Sequence, residues 1–328
     1  MKKVFQLTLF FLTTFGWSQV DYSNSWEDFF SYNNVRSFQK VDDIVYAMVD
    51  NAVFTYNTTT NETEKISSIN GLSGDVITAL HYSKNTNELI IGYETGLIEI
   101  IDKKKNISIA KDIVNFNYSG FKIINDIAEH GNKLYIATPF AIVEFDIENQ
   151  HFGDTFFIGN NSSELRTNKI KIHDNVIYAA TENGIYTASI NNPNLIDFNN
   201  WTKYSSGNFG VLEVFNGEVY TSKEKNLYKF SNEEFTLVNS YPEAIRAMYA
   251  SEEHLTIATL RSVTVKDVEL NTILSYTPTT SSDFYYILNK AFFENNTLYL
   301  GTREYGLLTS AKENIPNFFE HHPEGPIS

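Results

Sequence analysis

Arginine is the residue type in this chain that most directly indicates binding chemistry, and it occurs only five times in 328 residues. Its guanidinium binds phosphate and carboxylate groups through paired hydrogen bonds, so arginines gathered on an acidic protein indicate an anion site. One lysine and two aromatic residues occupy equivalent places in the repeats described below. The candidate binding set is Arg36, Arg166, Arg246, Arg261, Arg303, Lys225, Phe140 and Tyr305. The competing interpretation is that each arginine pairs with a local Asp or Glu, in contacts that contribute only about 0–1 kcal/mol.

Other chemistry has little support in the sequence. The absence of cysteine excludes a disulfide framework, a thiolate metal site and a cysteine nucleophile. No G-x-S-x-G elbow, H-E-x-x-H motif or Asp-rich calcium loop occurs. The seven histidines are scattered, and four of them (His81, His130, His173 and His254) fall in or near hairpins of different repeats, which favours solvated turn residues over metal ligands. We therefore expect no catalytic residue, no metal and no cofactor.

The amino-terminal segment predicts export. Lys2 and Lys3 precede an apolar run over residues 4–15, and Gly16 and Ser18 are small residues suited to a cleavage site. Residues 1–18 therefore have the pattern of a secretory signal peptide. No later segment has 18 uninterrupted apolar residues, so no transmembrane helix is expected. The formal charge of −15 argues against nucleic-acid binding, which needs a basic surface.

The elements that must position the arginines are seven similar hairpins. They begin at Val45, Leu89, Leu134, Ile177, Val219, Leu255 and Leu298, at spacings of 36 to 45 residues. Each alternates apolar residues and carries a small residue at the fourth place in six of seven copies, as in "LYIATPFAIVEF" from Leu134. A period of about 40–45 residues with strand character is typical of β-propeller blades.

Each repeat also contains a strand about ten residues before its hairpin and a less regular fourth strand. The prediction is an all-β fold, a seven-bladed β-propeller of four-stranded antiparallel blades over residues 19–316. Residues 317–328 are expected to begin a following domain. Trp26–Phe30 is the candidate strand for closing the ring, and the innermost strands are expected to be the most buried. Loops entering these strands share a face with the turns between second and third strands, so the candidate binding residues should gather there.

Two sets of motifs carry a family resemblance. Trp26–Phe29, "INGLSG" at 69–74 and the hairpins "LYIAT" and "IYAATENGI" resemble the two-component-regulator type of propeller repeat. The signal, "SWEDFFSYNNVRS" at 25–37, "KISSINGLSGDVITAL" at 65–80 and "LIIGYETGLIEI" from Leu89 together resemble the amino-terminal part of PorZ-like proteins of the type IX secretion system.

This resemblance implies a non-catalytic scaffold or binding module at the cell surface, associated with the outer membrane. It implies a PorU-like sortase, PorV and PorQ as partners in the attachment complex, and anionic lipopolysaccharide as the ligand presented to the sortase. Two alternatives stay open at this stage. One is a periplasmic ligand-sensing propeller of a two-component regulator, and the other is a carbohydrate-active propeller enzyme, although the S-x-D-x-G-x-T-W box of sialidase-like propellers is missing.

Overall fold

The computed structural model describes residues 30–231, 233–280, 282 and 284–323. The predicted signal peptide at 1–18 lies outside the described residues, and so does the proposed closing strand Trp26–Phe30 except for Phe30 itself. The described part of the chain contains no helix long and apolar enough to cross a membrane.

Seven four-stranded antiparallel sheets confirm the predicted propeller. The first three blades are β1 (Ser37–Val41), β2 (Ile44–Met48), β3 (Val53–Asn57) and β4 (Thr63–Ile66); β5 (Ile77–Ser83), β6 (Glu88–Tyr93), β7 (Ile98–Ile101) and β8 (Ile107–Ala110); β9 (Asp126–His130), β10 (Lys133–Ala137), β11 (Ile142–Asp146) and β12 (His151–Phe156). The last four are β13 (Thr167–His173), β14 (Val176–Thr181), β15 (Gly184–Ser189) and β16 (Thr202–Ser206); β17 (Val211–Phe215), β18 (Glu218–Lys223), β19 (Asn226–Ser231) and β20 (Glu234–Ser240); β21 (Ala247–Ala250), β22 (Leu255–Ala258), β23 (Val263–Lys266) and β24 (Thr272–Tyr276); β25 (Leu288–Glu294), β26 (Thr297–Thr302), β27 (Leu307–Ala311) and β28 (Phe319–Glu320).

Helix is almost absent from the described residues. One α-helical turn, α1 (Asp112–Asn115), lies in the loop between the second and third blades. Four 3₁₀ turns of three residues lie in other connections, at Ser68–Asn70, Asn160–Ser162, Phe198–Asn200 and Lys312–Asn314.

The last blade extends beyond the boundary expected from the sequence. Phe319 pairs with Thr309 and Glu320 with Leu308, so β28 completes the seventh sheet as its outer strand. The segment "NFFEH" at 317–321 has the strand pattern of the fourth strands in the other repeats, so the boundary proposed at residue 316 falls inside the blade. Each of the seven sheets is built from one continuous stretch of chain.

The hydrophobic core lies between neighbouring blades. One cluster joins Ile90 and Ile98 of the second blade to Leu134, Ile136 and Phe145 of the third. Burying an Ile, Leu or Phe side chain of this kind contributes about 1.5–3 kcal/mol relative to leaving it exposed.

The small residue at the fourth hairpin place allows the blades to pack this closely. A Cβ atom added at Gly92 would lie 2.6 Å from Cγ2 of Ile124 in the next blade, and one at Gly301 would lie 3.0 Å from Cγ1 of Val35. The predicted crowding at these positions is present in the structure.

A repeated backbone bond ties every blade to the one before it. In each blade, one residue just before or at the start of the innermost strand donates its N–H to a carbonyl of the preceding blade. That carbonyl lies at the end of the second strand or in the turn after it, and the N···O distances are 2.8 to 3.1 Å. We call these the seam residues: Val35, Ile77, Ile124, Thr167, Phe209, Ile245 and Leu288. Val35 donates to Thr302, so the same bond closes the ring between the first and seventh blades.

The residue after each seam residue adds a side-chain bond in four blades. These latch residues donate to the carbonyl of the seam residue in the following blade. The four bonds are Arg36 Nη1 to Ile77 at 2.9 Å, Asn125 Nδ2 to Thr167 at 2.7 Å, Asn168 Nδ2 to Phe209 at 2.8 Å and Asn289 Nδ2 to Val35 at 3.0 Å. The fifth blade has Gly210 at this place, which has no side chain to donate.

The expectation that the innermost strands are the most buried is wrong. Within the second blade, β6 has five buried residues of six, whereas β5 has three of seven. Within the fourth, β14 has five buried residues of six and β13 has two of seven. The reason is that the innermost strands line a polar channel along the axis of the ring, whereas the second strands lie between neighbouring sheets.

Candidate functional site

The predicted binding residues share one face of the ring by topology. Hydrogen bonds join the loops that enter the innermost strands to the turns between second and third strands, as from Glu182 N to Arg166 O at 3.1 Å and from Arg303 N to Ile287 O at 2.9 Å. We call this side the loop face. The turns between first and second strands and those between third and fourth strands lie on the opposite side.

The six basic candidates follow one another around the loop face. Arg166 precedes β13 in the fourth blade, and Lys225 lies between β18 and β19 in the fifth. Arg246 and Arg261 belong to the sixth blade, Arg303 to the seventh and Arg36 to the first. Five consecutive blades of the ring therefore carry them, and the second and third blades carry none.

Two of these cations are already engaged within the protein. Arg261 forms an ion pair with Glu243, with Nε 2.7 Å and Nη2 2.6 Å from Oε1, and its guanidinium lies 5.5 Å from the centre of the Tyr285 ring. Burial opposes ionisation of Glu243, but hydrogen bonds from Arg261 and Thr259 outweigh it and lower the pKa of this carboxyl. Arg36 is a latch residue and lies 3.8 Å from Asp50. For these two the competing interpretation, pairing within the protein, describes what the structure shows.

Three other cations have no such partner. Lys225, Arg246 and Arg303 are exposed, and their side chains make no ion pair or hydrogen bond with any residue that the structure describes. Glu224 and Glu304 are their exposed sequence neighbours, so the surface is mixed in charge. These three side chains are available to an external anion, and binding there stays a prediction.

The aromatic candidates are less exposed than predicted. Phe140 is 1% exposed and packs against Phe116, Tyr118 and Phe157, so the expectation that it offers binding surface is wrong. The long loop between the second and third blades carries two of these rings and covers it. Tyr305 is half-buried, with its ring edge-on to Tyr286 at 4.9 Å.

Other aromatic residues take the exposed role that was predicted for Phe140. Phe284 and Tyr285, in the loop entering the seventh blade, are 71% and 52% exposed, and Phe121 in the loop entering the third is 78% exposed. The signal in the sequence is the aromatic run "FYY" at 284–286 in a long polar connection, where a core position is not expected.

Arg166 lies in a polar pocket on the loop face. The pocket has a volume of about 510 Å³ and is lined by Asn125, Arg166, Asn168, Glu182, Asn208 and Gly210. Arg166 Nε donates to Asn168 Oδ1 at 3.1 Å, and Asn168 Nδ2 lies 3.1 Å from Asn208 Oδ1. Amide, guanidinium and carboxylate groups of this kind can hydrogen-bond a hydroxyl-rich ligand.

The sequence interpretation missed a second polar cavity, the central channel. It has a volume of about 590 Å³ and is lined by residues from all seven innermost strands. Ion pairs along its wall join neighbouring blades, with 2.7 Å between Lys169 Nζ and Asp126 Oδ1 and 2.7 Å between Lys171 Nζ and Glu213 Oε1. The sequence does carry a pattern that indicates such a channel. Charged residues stand at alternate places of an innermost strand, as in "NKIKIH" at 168–173.

The carboxylate of Glu129 lies in the same channel, nearer the end opposite the loop face. Glu129 accepts hydrogen bonds from His81 at 2.9 Å, Ser83 at 2.6 Å and Asn85 at 3.1 Å. Burial opposes its ionisation, but these bonds outweigh burial and lower the pKa of Glu129. Within the described ranges no three His, Asp or Glu side chains gather as a metal site.

Comparison with known proteins agrees with this architecture. Residues 45–202 match the family model described as TSS9, PorZ, N-terminal beta-propeller domain. The structure of PorZ from Porphyromonas gingivalis superposes with a TM-score of 0.73 at 17% identity, covering 92% of this chain. The chain is a β-propeller that resembles the amino-terminal propeller of PorZ. It spans 40% of the length of that PorZ, which is described as an essential bacterial surface component of the type IX secretion system.

Other similar structures show how widely the fold occurs. The extracellular domain of a one-component system from B. thetaiotaomicron has a TM-score of 0.62 at 15% identity, over 85% of this chain and 38% of that chain. The propeller domain of Cps50 (Swd1) from Myceliophteria thermophila has a TM-score of 0.67 at 10% identity, over 87% and 99% of the two chains. These likenesses concern the fold alone. No curated protein matches the sequence.

Proposed function

We propose that this PorZ-like propeller is a non-catalytic binding module of the type IX secretion system attachment complex, exported and held at the cell surface. In this role its loop face binds anionic lipopolysaccharide and presents it to a PorU-like sortase. The sortase, the lipopolysaccharide and the surface location follow from the family resemblance. The loop face is the contribution of this chain's own residues.

One observation carries the choice of surface. Lys225, Arg246 and Arg303 are exposed and unpaired among the described residues, on three consecutive blades of a protein with a formal charge of −15. Unpaired cations on an acidic protein favour an anionic ligand there, because such a ligand would be repelled from most of the remaining surface.

The neighbouring aromatic residues fit a glycan ligand. Phe284 and Tyr285 project from the loop between the sixth and seventh blades, beside Arg261. Exposed rings offer apolar faces on which sugar rings can lie, while the nearby cations bind phosphate or carboxylate substituents. The pocket at Arg166 supplies further hydrogen-bonding groups on the same face.

The binding test uses the double variant Arg246→Ala, Arg303→Ala and retention on purified anionic lipopolysaccharide at two salt concentrations. If each exposed charge contact contributes about 0.7 kcal/mol, the variant should bind about tenfold more weakly at low salt. The difference should shrink at high salt because counterions screen exposed charges.

The matched control is Lys103→Ala, Lys104→Ala. Both lysines are exposed in the turn between β7 and β8, on the side opposite the loop face, so this variant makes the same change in net charge. Equal loss of binding in the two double variants would show that only total charge matters and would reject the loop face as the site.

The cellular role is tested separately by deleting the gene. Secreted cargo should then remain unanchored or unprocessed, and the wild-type gene should restore attachment. Normal cargo attachment in the deletion strain would reject the assignment to the attachment complex.

A further inference from the structure

The central channel has the dimensions of a ligand site. Its volume of about 590 Å³ falls within the range of about 300–1,000 Å³ that small-molecule sites occupy. Polar side chains line it along its length, including Ser37, Gln39, Thr78 and Asn125. Lys169 and Lys171 keep 34% and 31% of their side-chain surface exposed, so the interior is accessible to solvent.

Every carboxylate in this channel is satisfied by the protein. Asp126 accepts from Lys169 Nζ at 2.7 Å and from Ile170 N at 2.9 Å. Glu213 is paired with Lys171, and Glu129 has three donors. An incoming cation would therefore have to displace bonds that already exist.

One ammonium group in the channel has no carboxylate partner among the described residues. Lys290 Nζ donates to the carbonyl of Phe38 at 2.7 Å and lies 4.6 Å from the ring centre of Tyr249 and 5.4 Å from that of Phe38. These contacts favour the charged form, but they do not neutralise it. Burial, with Lys169 and Lys171 nearby, lowers the pKa of Lys290 to about 7. A negative charge bound beside Lys290 would therefore stabilise its charged ammonium form.

The registers show which groups would surround a ligand at this point. Lys290 pairs with Gly301, Lys169 with Ala180 and Ser37 with Met48, all at the fourth place of their hairpins. Lys290, Lys169 and Ser37 therefore lie at the same level of the ring, on three innermost strands that line the channel.

We propose that the central channel is a binding site for a small organic monoanion, a carboxylate of up to monosaccharide size, with Lys290 as its counter-charge. The carboxylate binds at the level of Lys290, and the remainder of the ligand extends along the channel toward Gln39 and Tyr249. This site is separate from the loop face and does not depend on the role proposed for that face.

The test titrates the chain with glucuronate, with glucose as the uncharged control, by calorimetry near pH 6.5. Glucuronate should bind and glucose should bind at least tenfold more weakly. Lys290→Met keeps the length and apolar contacts of the side chain and removes its charge. It should weaken glucuronate binding about tenfold to a hundredfold, as expected for the loss of one charge-assisted hydrogen bond.

Two further variants keep the proposal testable if Lys290→Met does not fold. Lys103→Met removes an exposed charge outside the channel and should bind glucuronate as the wild type does. Glu213→Gln releases Lys171 from its partner and adds positive charge to the channel, so glucuronate should bind several-fold more tightly. Equal binding of glucose and glucuronate, unchanged binding by folded Lys290→Met, or no gain in Glu213→Gln would each overturn the proposal.

Discussion

Replacing Asn168 with alanine should weaken the seam between the fourth and fifth blades. Its Nδ2 donates to the carbonyl of Phe209 at 2.8 Å, in a part-buried contact that spans 41 residues of sequence. Its contacts with Arg166 and Asn208 are at the exposed rim, where water can replace them. The change therefore removes one seam hydrogen bond and leaves a partly buried carbonyl without that donor.

The expected loss is about 1–2 kcal/mol in the free energy of unfolding. A net protein hydrogen bond contributes about 1 kcal/mol, and a buried acceptor that loses its donor adds a cost of about 1–3 kcal/mol, reduced here because the site is only partly buried. The measurement is the urea midpoint of the chain together with the slope of the transition. A lower midpoint at an unchanged slope would report a change in stability rather than in compactness.

The matched control is Asn132→Ala. Asn132 also makes one side-chain hydrogen bond, to Glu148 at 2.6 Å, but the contact is exposed, so its loss should change stability by less than about 0.5 kcal/mol. If Asn168→Ala and Asn132→Ala shift the midpoint equally, the latch makes no special contribution and the reasoning is refuted.

The opposite substitution should strengthen a seam that lacks a latch. Gly210 occupies the latch place of the fifth blade, and a Cβ added there would meet nothing within 4 Å. In Gly210→Asn the amide can reach toward the carbonyl of Ile245, the seam residue of the sixth blade, as Asn168 reaches Phe209. A gain of about 1 kcal/mol is expected, partly because glycine has more freedom to lose on folding. A lower urea midpoint would show that the latch cannot be transferred.

Three further predictions concern packing and pH. Gly92→Ala should destabilise the fold by about 1–3 kcal/mol in thermal unfolding, since its Cβ would lie 2.6 Å from Ile124, whereas Gly210→Ala should not. The pKa of Glu129 is lower in the folded than in the unfolded state, so its stabilisation is present above pH about 4.5 and is lost as pH falls through the folded value. Glu129→Gln should therefore flatten the acid limb of a stability profile, and an unchanged limb would contradict this. The pKa of Lys290 falls from 10.5 to about 7, so the unfolded chain binds more protons between these values and stability should rise with pH there. Lys290→Met should remove that rise, and its persistence would exclude this lysine as the cause.

The sequence by itself determined the number of blades and the places of their strands. Alternation of apolar residues, the small residue at the fourth hairpin place and the polar turns are local signals, and seven copies reinforce one another. The hairpin predicted from Leu134, for example, is the pair β10 and β11, with Leu134 opposite Phe145. The grouping of arginines on one face also followed, because it depends only on where each residue lies within a repeat.

What each side chain contacts was decided by the tertiary structure. Phe140 has the same place in its repeat as exposed turn residues, yet the loop carrying Phe116 and Tyr118 covers it. Arg36 was expected to face an external anion, but its acceptor is the carbonyl of Ile77 in the next blade. Lys171 and Glu213 are 42 positions apart in the sequence, and the packing of the fifth blade beside the fourth brings their innermost strands together along the channel. Periodicity predicts which elements form, whereas burial and pairing depend on the neighbouring blade, whose residues at the contact no local pattern specifies.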